Sequence, residues 1–376
     1  FGSESETPII AMFTYHDPIG EKAETNRYQS QAIAYSLDEG KSWTKYTENP
    51  VIENPGLKNF RDPKITWDTI HEQWIVGIAT EDKTFFYRSE NLIDWELLSD
   101  FGKGIGAHDG VWECPDFFPM TPEGSDEVKW VLIQNMNPGG YNGGSGTQYF
   151  IGDFDGKNFT LDASFEDDLE RENSLWVDYG KDNYAGVTWL NIPAEDGRML
   201  FMGWMSNWEY GQEVPTTKWR SAMTIARELK LVKKDNKYRL HSVPVEELSN
   251  YISKSVGKEP IDIEKETVLF TNAEVDFRSL DISFNIKNMQ EDVYTLAFHN
   301  VLGDTLKIGL DNKDKYFFID RAGSGEDSFS EKFASKISTA PSHKVREGIV
   351  VRMVLDKTSI EIFYDDGETV MTEIFF

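Results

Sequence analysis

The chain has 376 residues, 39% hydrophobic and 13% aromatic, enough to build two domains with buried cores and too apolar for a chain disordered throughout. Its 38 Lys and Arg stand against 65 Asp and Glu, a formal charge of −27. That field repels phosphates and anionic lipid heads, which sets nucleic acid and membrane surfaces aside; a neutral polymer such as a polysaccharide is compatible, and so is plain solubility.

The single cysteine, Cys114, excludes an internal disulfide and a metal site built on paired cysteines. No apolar run approaches the roughly 20 residues of a bilayer span, so no membrane insertion is expected. The first residue is Phe1 rather than Met and no signal peptide is present, which reads as a processed or partial chain.

Short alternating or β-branched runs bounded by Gly, Pro, Asn or Asp predict strands at 8–13, 73–78, 128–134, 186–190 and 199–202. Residues 245–254 are the best helical candidate, and a short one. A weak repeat links three segments. Tyr35 to Trp43, Tyr87 to Trp95 and Gly152 to Phe159 each read as strand, polar turn, then an aromatic expected in a core. The aromatics are spaced by 52 and 64 residues, which suits four-stranded propeller blades with insertions. Three ordinary hairpins in another β fold would give the same signal. Composition changes after residue 228: 229–262, Lys-rich over 229–237, reads as a linker, and 263–376 as evenly spaced strands of a β-sandwich. Asp365-Asp366-Gly367 is the turn of its last hairpin.

Three segments could carry chemistry. In Arg61-Asp62-Pro63, Pro63 biases Asp62 toward an extended conformation and ends local pairing. Arg61 and Asp62 then either face a cleft or form a surface turn. In Trp112-Glu113-Cys114-Pro115-Asp116, apolar neighbours on both sides of Glu113 disfavour its charged form, as a general acid requires; the plain alternative is a solvent-facing Glu. Asp116 either pairs with it or caps a turn, the turn being preferred. Gly203 to Trp208 offers Trp204 and Trp208 as platforms for sugar rings, or as core residues. Gly139 to Gly146 lacks the Lys-Ser/Thr and helix of a phosphate loop. The six His are scattered, and no Ser lies in a Gly-x-Ser-x-Gly elbow. No metal or cofactor is called for.

Together these segments resemble glycoside hydrolase family 32, the invertase, inulinase and levanase family. Arg61-Asp62-Pro63 and Trp112-Glu113-Cys114-Pro115 are similar to two of its three signature motifs. Segments at 143–156, 178–185, 219–223 and 359–367 also look like family sequence, so the resemblance covers nearly the whole chain. It implies an all-β protein: a five-bladed β-propeller over 1–228, its first blade incomplete or missing, then the linker and a C-terminal β-sandwich. It also implies a secreted or cell-surface enzyme that removes terminal fructose from levan, inulin or sucrose with retention. Glu113 would be general acid, then general base. Asp62 would hydrogen-bond the fructosyl hydroxyls and stabilise the transition state, and Arg61 would position the same ring. Trp204 and Trp208 would shape the fructose pocket.

One departure is large. The family's nucleophile lies in a Trp-Met-Asn-Asp-Pro-Asn-Gly motif that this sequence does not contain. His16-Asp17-Pro18 is followed by Ile-Gly-Glu and is no substitute. The resemblance therefore implies that these 376 residues alone do not turn over substrate. Two other readings remain open: an arabinan- or xylan-acting five-bladed relative, usually inverting, and a fructan-binding propeller that has lost turnover.

Overall fold

The alternating runs fold as antiparallel strands in the computed structural model, which describes residues 7–193, 195–342 and 348–376. The first six residues of the expected propeller segment lie outside the described residues. Ile9–His16 (β1), Gln29–Ser36 (β2) and Thr44–Lys45 (β3) form a three-stranded sheet, with the short helix Pro18–Lys22 (α1) after β1. Arg61–Asp68 (β4), Gln73–Ala79 (β5), Thr84–Ser89 (β6) and Glu96–Phe101 (β7) form a meander in chain order. Val111–Met120 (β8), Lys129–Asn137 (β9), Gly146–Phe154 (β10) and Phe159–Leu161 (β11) repeat it. β9 is covered on both faces, which is why Trp130, Val131, Leu132 and Ile133 run without polar interruption.

The repeat seen in the sequence is the last hairpin of each of these sheets. Its turns are built by side chains that accept from nearby backbone N–H groups: Ser36 from Gly40, Ser89 from Leu92, Asp155 from Asn158. The aromatics, however, do not share one role. Phe159 is buried, but Trp43 is 46% exposed. Its indole N–H donates to Gly40 O and closes its turn at the surface, whereas Trp95, whose N–H donates likewise to Leu92 O, is partly buried against the cluster of Ile52, Phe60, Val76, Ile78 and Tyr87.

The helix Ala163–Glu172 (α2) was not legible. It buries only Phe165 and Leu169 among its apolar residues, one turn apart, and is started by the Asp162 carboxylate accepting from Ser164 N. Leu175–Asp178 (β12), Tyr184–Thr188 (β13), Met199–Met205 (β14), Ala222–Met223 (β15), Arg227–Lys234 (β16) and Lys237–Pro244 (β17) follow. The stretch from Leu229, read as the head of a linker, is thus strand through Pro244. Leu229, Leu231, Tyr238 and Leu240 are buried in alternation with the lysines that obscured the period. The helix expected at 245–254 is a 3-10 segment, Glu246–Tyr251.

The C-terminal strands make two four-stranded antiparallel sheets. One joins Ser279–Lys287 (β18), Gly348–Asp356 (β23), Ser359–Tyr364 (β24) and Thr369–Ile374 (β25). The other joins Val293–His299 (β19), Thr305–Asp311 (β20), Tyr316–Asp320 (β21) and Ser338–Pro341 (β22). Phe317 of β21 and Tyr364 of β24 stack at 3.7 Å between them. The last hairpin turns where expected, with Asp365, Asp366 and Gly367 all left-handed.

The contacts divide the described chain into two compact units. The first runs to Trp176 and takes in Ala185–Glu195 and Leu231–Arg239; the second comprises Val177–Tyr184, Asp196–Lys230 and Leu240–Phe376. Within the second, Arg227 is fully buried. Its guanidinium donates to Asp178 at 2.8 Å, Glu361 at 2.5 Å and Thr372 at 2.7 Å. Arg227→Met is expected to cost about 3–5 kcal/mol, because it strands two buried carboxylates. An unchanged denaturant midpoint would refute that.

Candidate active site

The two motifs sit at equivalent places in successive sheets. Arg61-Asp62-Pro63 opens β4 and Glu113-Cys114-Pro115 lies near the start of β8. In each strand the pairing register slips, between Arg61 and Lys64 and between Glu113 and Asp116. These are β-bulges, and each holds a left-handed residue that is not glycine: Asp62 at φ 60° and Cys114 at φ 44°. The expectation that Pro63 makes Asp62 extended and ends pairing is therefore corrected. The strand continues to Asp68, and the bulge absorbs the missing N–H of Pro63.

Such backbone persists only where its surroundings hold it. Asp62 N donates to Thr14 Oγ1 of β1 at 3.0 Å, and Thr14 donates to Gln31 at 3.1 Å. Gln31 in turn donates to Phe60 O at 2.8 Å. At the second bulge Gln134 donates to Glu113 O at 2.7 Å and Asn135 to Cys114 O at 3.0 Å. Gln31, Gln134 and Asn135 are fully buried. The bulges are bonded to each other as well, since Cys114 N donates to Asp62 Oδ2 at 3.1 Å.

This brings Arg61, Asp62 and Glu113 together. Arg61 Nη2 donates to Glu113 Oε1 at 2.7 Å, and its Nε lies 3.8 Å from Asp62 Oδ2. Asn59 steadies the guanidinium from the other side, accepting from Nη1 at 2.5 Å and donating to Glu81 at 3.0 Å. The three side chains remain 18–30% exposed, open enough for a ligand to reach and sheltered enough for charge to matter. Trp112 does not form an apolar wall beside the Glu113 carboxylate. It points to the opposite face of β8, fully buried and stacked on His108 at 4.8 Å. A Cβ on Gly102 would stand 2.3 Å from its ring, and only glycine fits there.

Burial is the largest influence on the Asp62 carboxyl and pushes it above the ordinary carboxylate range, although the Cys114 amide and Arg61 pull it down. Burial also pushes the Cys114 thiol up, with Asp62 and Glu113 adding to it. Its sulfur is thus no thiolate nucleophile. Asp116 is not the turn cap preferred from the sequence: it is fully buried within β8 and accepts from Thr188 N at 2.6 Å. Among the described residues no cluster of His, Cys, Asp and Glu could hold a metal ion.

Trp204 lies on β14 and Trp208 in the segment after it, in the second compact unit. Their rings are 5.0 Å apart, and Trp208 is 49% exposed. The supporting polar residues were missed by motif reading because they come from other strands. Gln134-Asn135, a polar pair ending an apolar run, was the available signal.

Residues 3–244 match the glycosyl hydrolases family 32 N-terminal domain, and residues 247–376 match the family 32 C-terminal domain. A levanase of Bacillus subtilis (strain 168) is 38% identical over 377 residues, covering 100% of this chain and 54% of the levanase. The chain thus spans about half of that relative's length. The extracellular exo-inulinase of Aspergillus awamori is 37% identical over 399 residues, covering 100% of this chain and 73% of the inulinase. A crystal structure of exo-inulinase from Aspergillus awamori superposes with a TM-score of 0.85 at 31% identity, over 100% of this chain and 75% of that one. The β-fructofuranosidase of Schwanniomyces occidentalis complexed with fructosyl-erythritol gives 0.77 at 30% identity, over 100% and 74%.

Proposed function

The chain belongs to glycoside hydrolase family 32, and from that premise we propose that the protein removes terminal β-fructosyl units from fructans and sucrose with retention. The reading rests on one observation above all: two bulges in consecutive sheets aim Asp62 and Glu113 at a single guanidinium, that of Arg61.

Glu113 protonates the departing glycosidic oxygen and then deprotonates the water that releases fructose. Asp62 accepts from the fructosyl hydroxyls, and its charge offsets the positive charge developing on the ring. Arg61 holds Glu113 by Oε1 and stands beside Asp62, fixing their relation before substrate arrives. A retaining scheme also requires a nucleophilic carboxylate. Trp204 and Trp208 are proposed as sugar-binding residues, on the exposure of Trp208 and on the motif they occupy. Fructans are neutral and too large to enter a cell, which fits the chain's charge and a secreted or cell-surface location.

Incubation of the full-length protein with levan, inulin and sucrose should yield free fructose. NMR of the first turnovers should show the β-fructofuranose anomer. Release of the inverted anomer would refute retention, release of arabinose or xylose from arabinan or xylan without fructose release would favour the other five-bladed reading, and binding without release would favour a non-catalytic module.

A further inference from the structure

Each active-site bulge is bracketed by charge. Ahead of the slip stand Arg61 and Glu113, which touch; immediately beyond it stand Lys64 and Asp116, which face each other at 3.9 Å. Only the first pair belongs to the chemistry described above. The carboxylate of the second is the most deeply placed of the four groups. Asp116 is fully buried, and the Lys64 side chain is 20% exposed. Asp116 Oδ2 accepts from both Thr188 N at 2.6 Å and Thr188 Oγ1 at 2.8 Å, while Lys64 Nζ donates to Thr188 O at 2.5 Å. The pair therefore clamps both groups of one peptide region at the end of β13. β13 itself carries a left-handed residue, Ala185 at φ 51°, and Asn135 ties Gly186 to Cys114 O.

We infer that Lys64 and Asp116, anchored on Thr188, are positioning residues that hold the β8 bulge, and with it the Glu113 carboxyl, in register with Arg61 and Asp62. The inference rests on the fructosidase reading above. A buried ion pair is a poor way to gain stability, since apolar residues of similar volume usually do as well. This pair is also imperfect, because the second carboxylate oxygen of Asp116 is buried with no hydrogen-bond partner among the described residues. What the pair supplies is direction. Only Cys114 and Pro115 separate Asp116 from Glu113, one held left-handed and the other locked at φ, so the bulge has little slack to absorb a shift. A misplacement on the order of 1 Å costs about 10²-fold in rate.

The test uses Asp116→Asn, Lys64→Met and the double variant of the full-length protein, with Thr188→Val alongside in case one of them does not fold. Rates are compared on sucrose, whose sugar leaving group needs a proton, and on an aryl β-fructofuranoside, whose leaving group does not. Asp116→Asn should lower kcat on sucrose by about 10²-fold with KM little changed, and lower the aryl rate far less. The double variant should be no worse than the poorer single one, as expected of residues acting as a unit. Equal losses on both substrates, or none, overturn the inference, because a purely structural role only lowers the active fraction. Fructose release by the unsubstituted protein with a flat ratio overturns this inference alone. No release at all overturns the functional reading and this inference with it.

Discussion

Glu113→Gln is expected to lower kcat on sucrose and fructans by about 10²–10⁴-fold, the range for loss of a general acid. The substitution keeps the shape of the side chain, and its carbonyl oxygen accepts from Arg61 Nη2 as Oε1 does at 2.7 Å. Gln134 and Asn135 still hold the bulge through backbone carbonyls that the change does not touch. Only the proton is lost. The deficit in the fructosylation step must therefore follow the leaving group: severe for a sugar alkoxide, small for an aryl leaving group that departs unaided. Deglycosylation also loses its base, so added azide, which needs no deprotonation, should restore turnover of the aryl substrate by trapping the fructosyl intermediate. Equal loss on all substrates, without azide rescue, would move the acid role elsewhere.

How much of this was legible in the sequence depends on where each residue's partners come from. Arg61, Asp62 and Glu113 lie in contiguous motifs, and the structure brings them together. The bulges did not show, because Pro63 and Pro115 bias the preceding residue toward extended backbone locally. That bias is overridden by bonds from Thr14, and between Cys114 and Asp62, across 48 and 52 residues. The same limit explains Asp116: an Asp after Pro reads as a turn, and only Thr188, 72 residues on, accounts for its burial. Trp43 misled for the opposite reason, since its partner, Gly40 O, is three residues away and keeps the ring at the surface. The strands at 227–244 were hidden by composition, lysines lying on the face that alternates with Leu229 and Leu231. Strand periods and turn chemistry are local and were readable; geometry imposed by neighbouring sheets was not.

Asp62→Asn is expected to separate activity from stability, lowering kcat/KM by about 10²–10³-fold while leaving the protein no less stable near neutral pH. Asn is among the few side chains that accept a φ of 60°, so the bulge should survive. Its amide oxygen also accepts from Cys114 N in place of Oδ2. The charge is what disappears. Fructosyl hydroxyls donate more strongly to a carboxylate than to an amide, and the difference grows as the ring becomes cationic in the transition state. The stability sign follows from burial, which raises the folded-state pKa of Asp62. Between the unfolded and folded values the native state binds more protons. The stability this group contributes is thus full below about 3.9, the unfolded value, and lost as pH rises through the folded one. At neutral pH the native carboxylate is the disfavoured form, and a neutral amide removes that cost. Thermal unfolding of both proteins at pH 7 and near pH 4 checks this: the variant's relative advantage should be largest at pH 7 and shrink in acid. A variant clearly less stable at pH 7, and most so there, would mean that Arg61 and the Cys114 amide outweigh burial, reversing the direction assigned to Asp62.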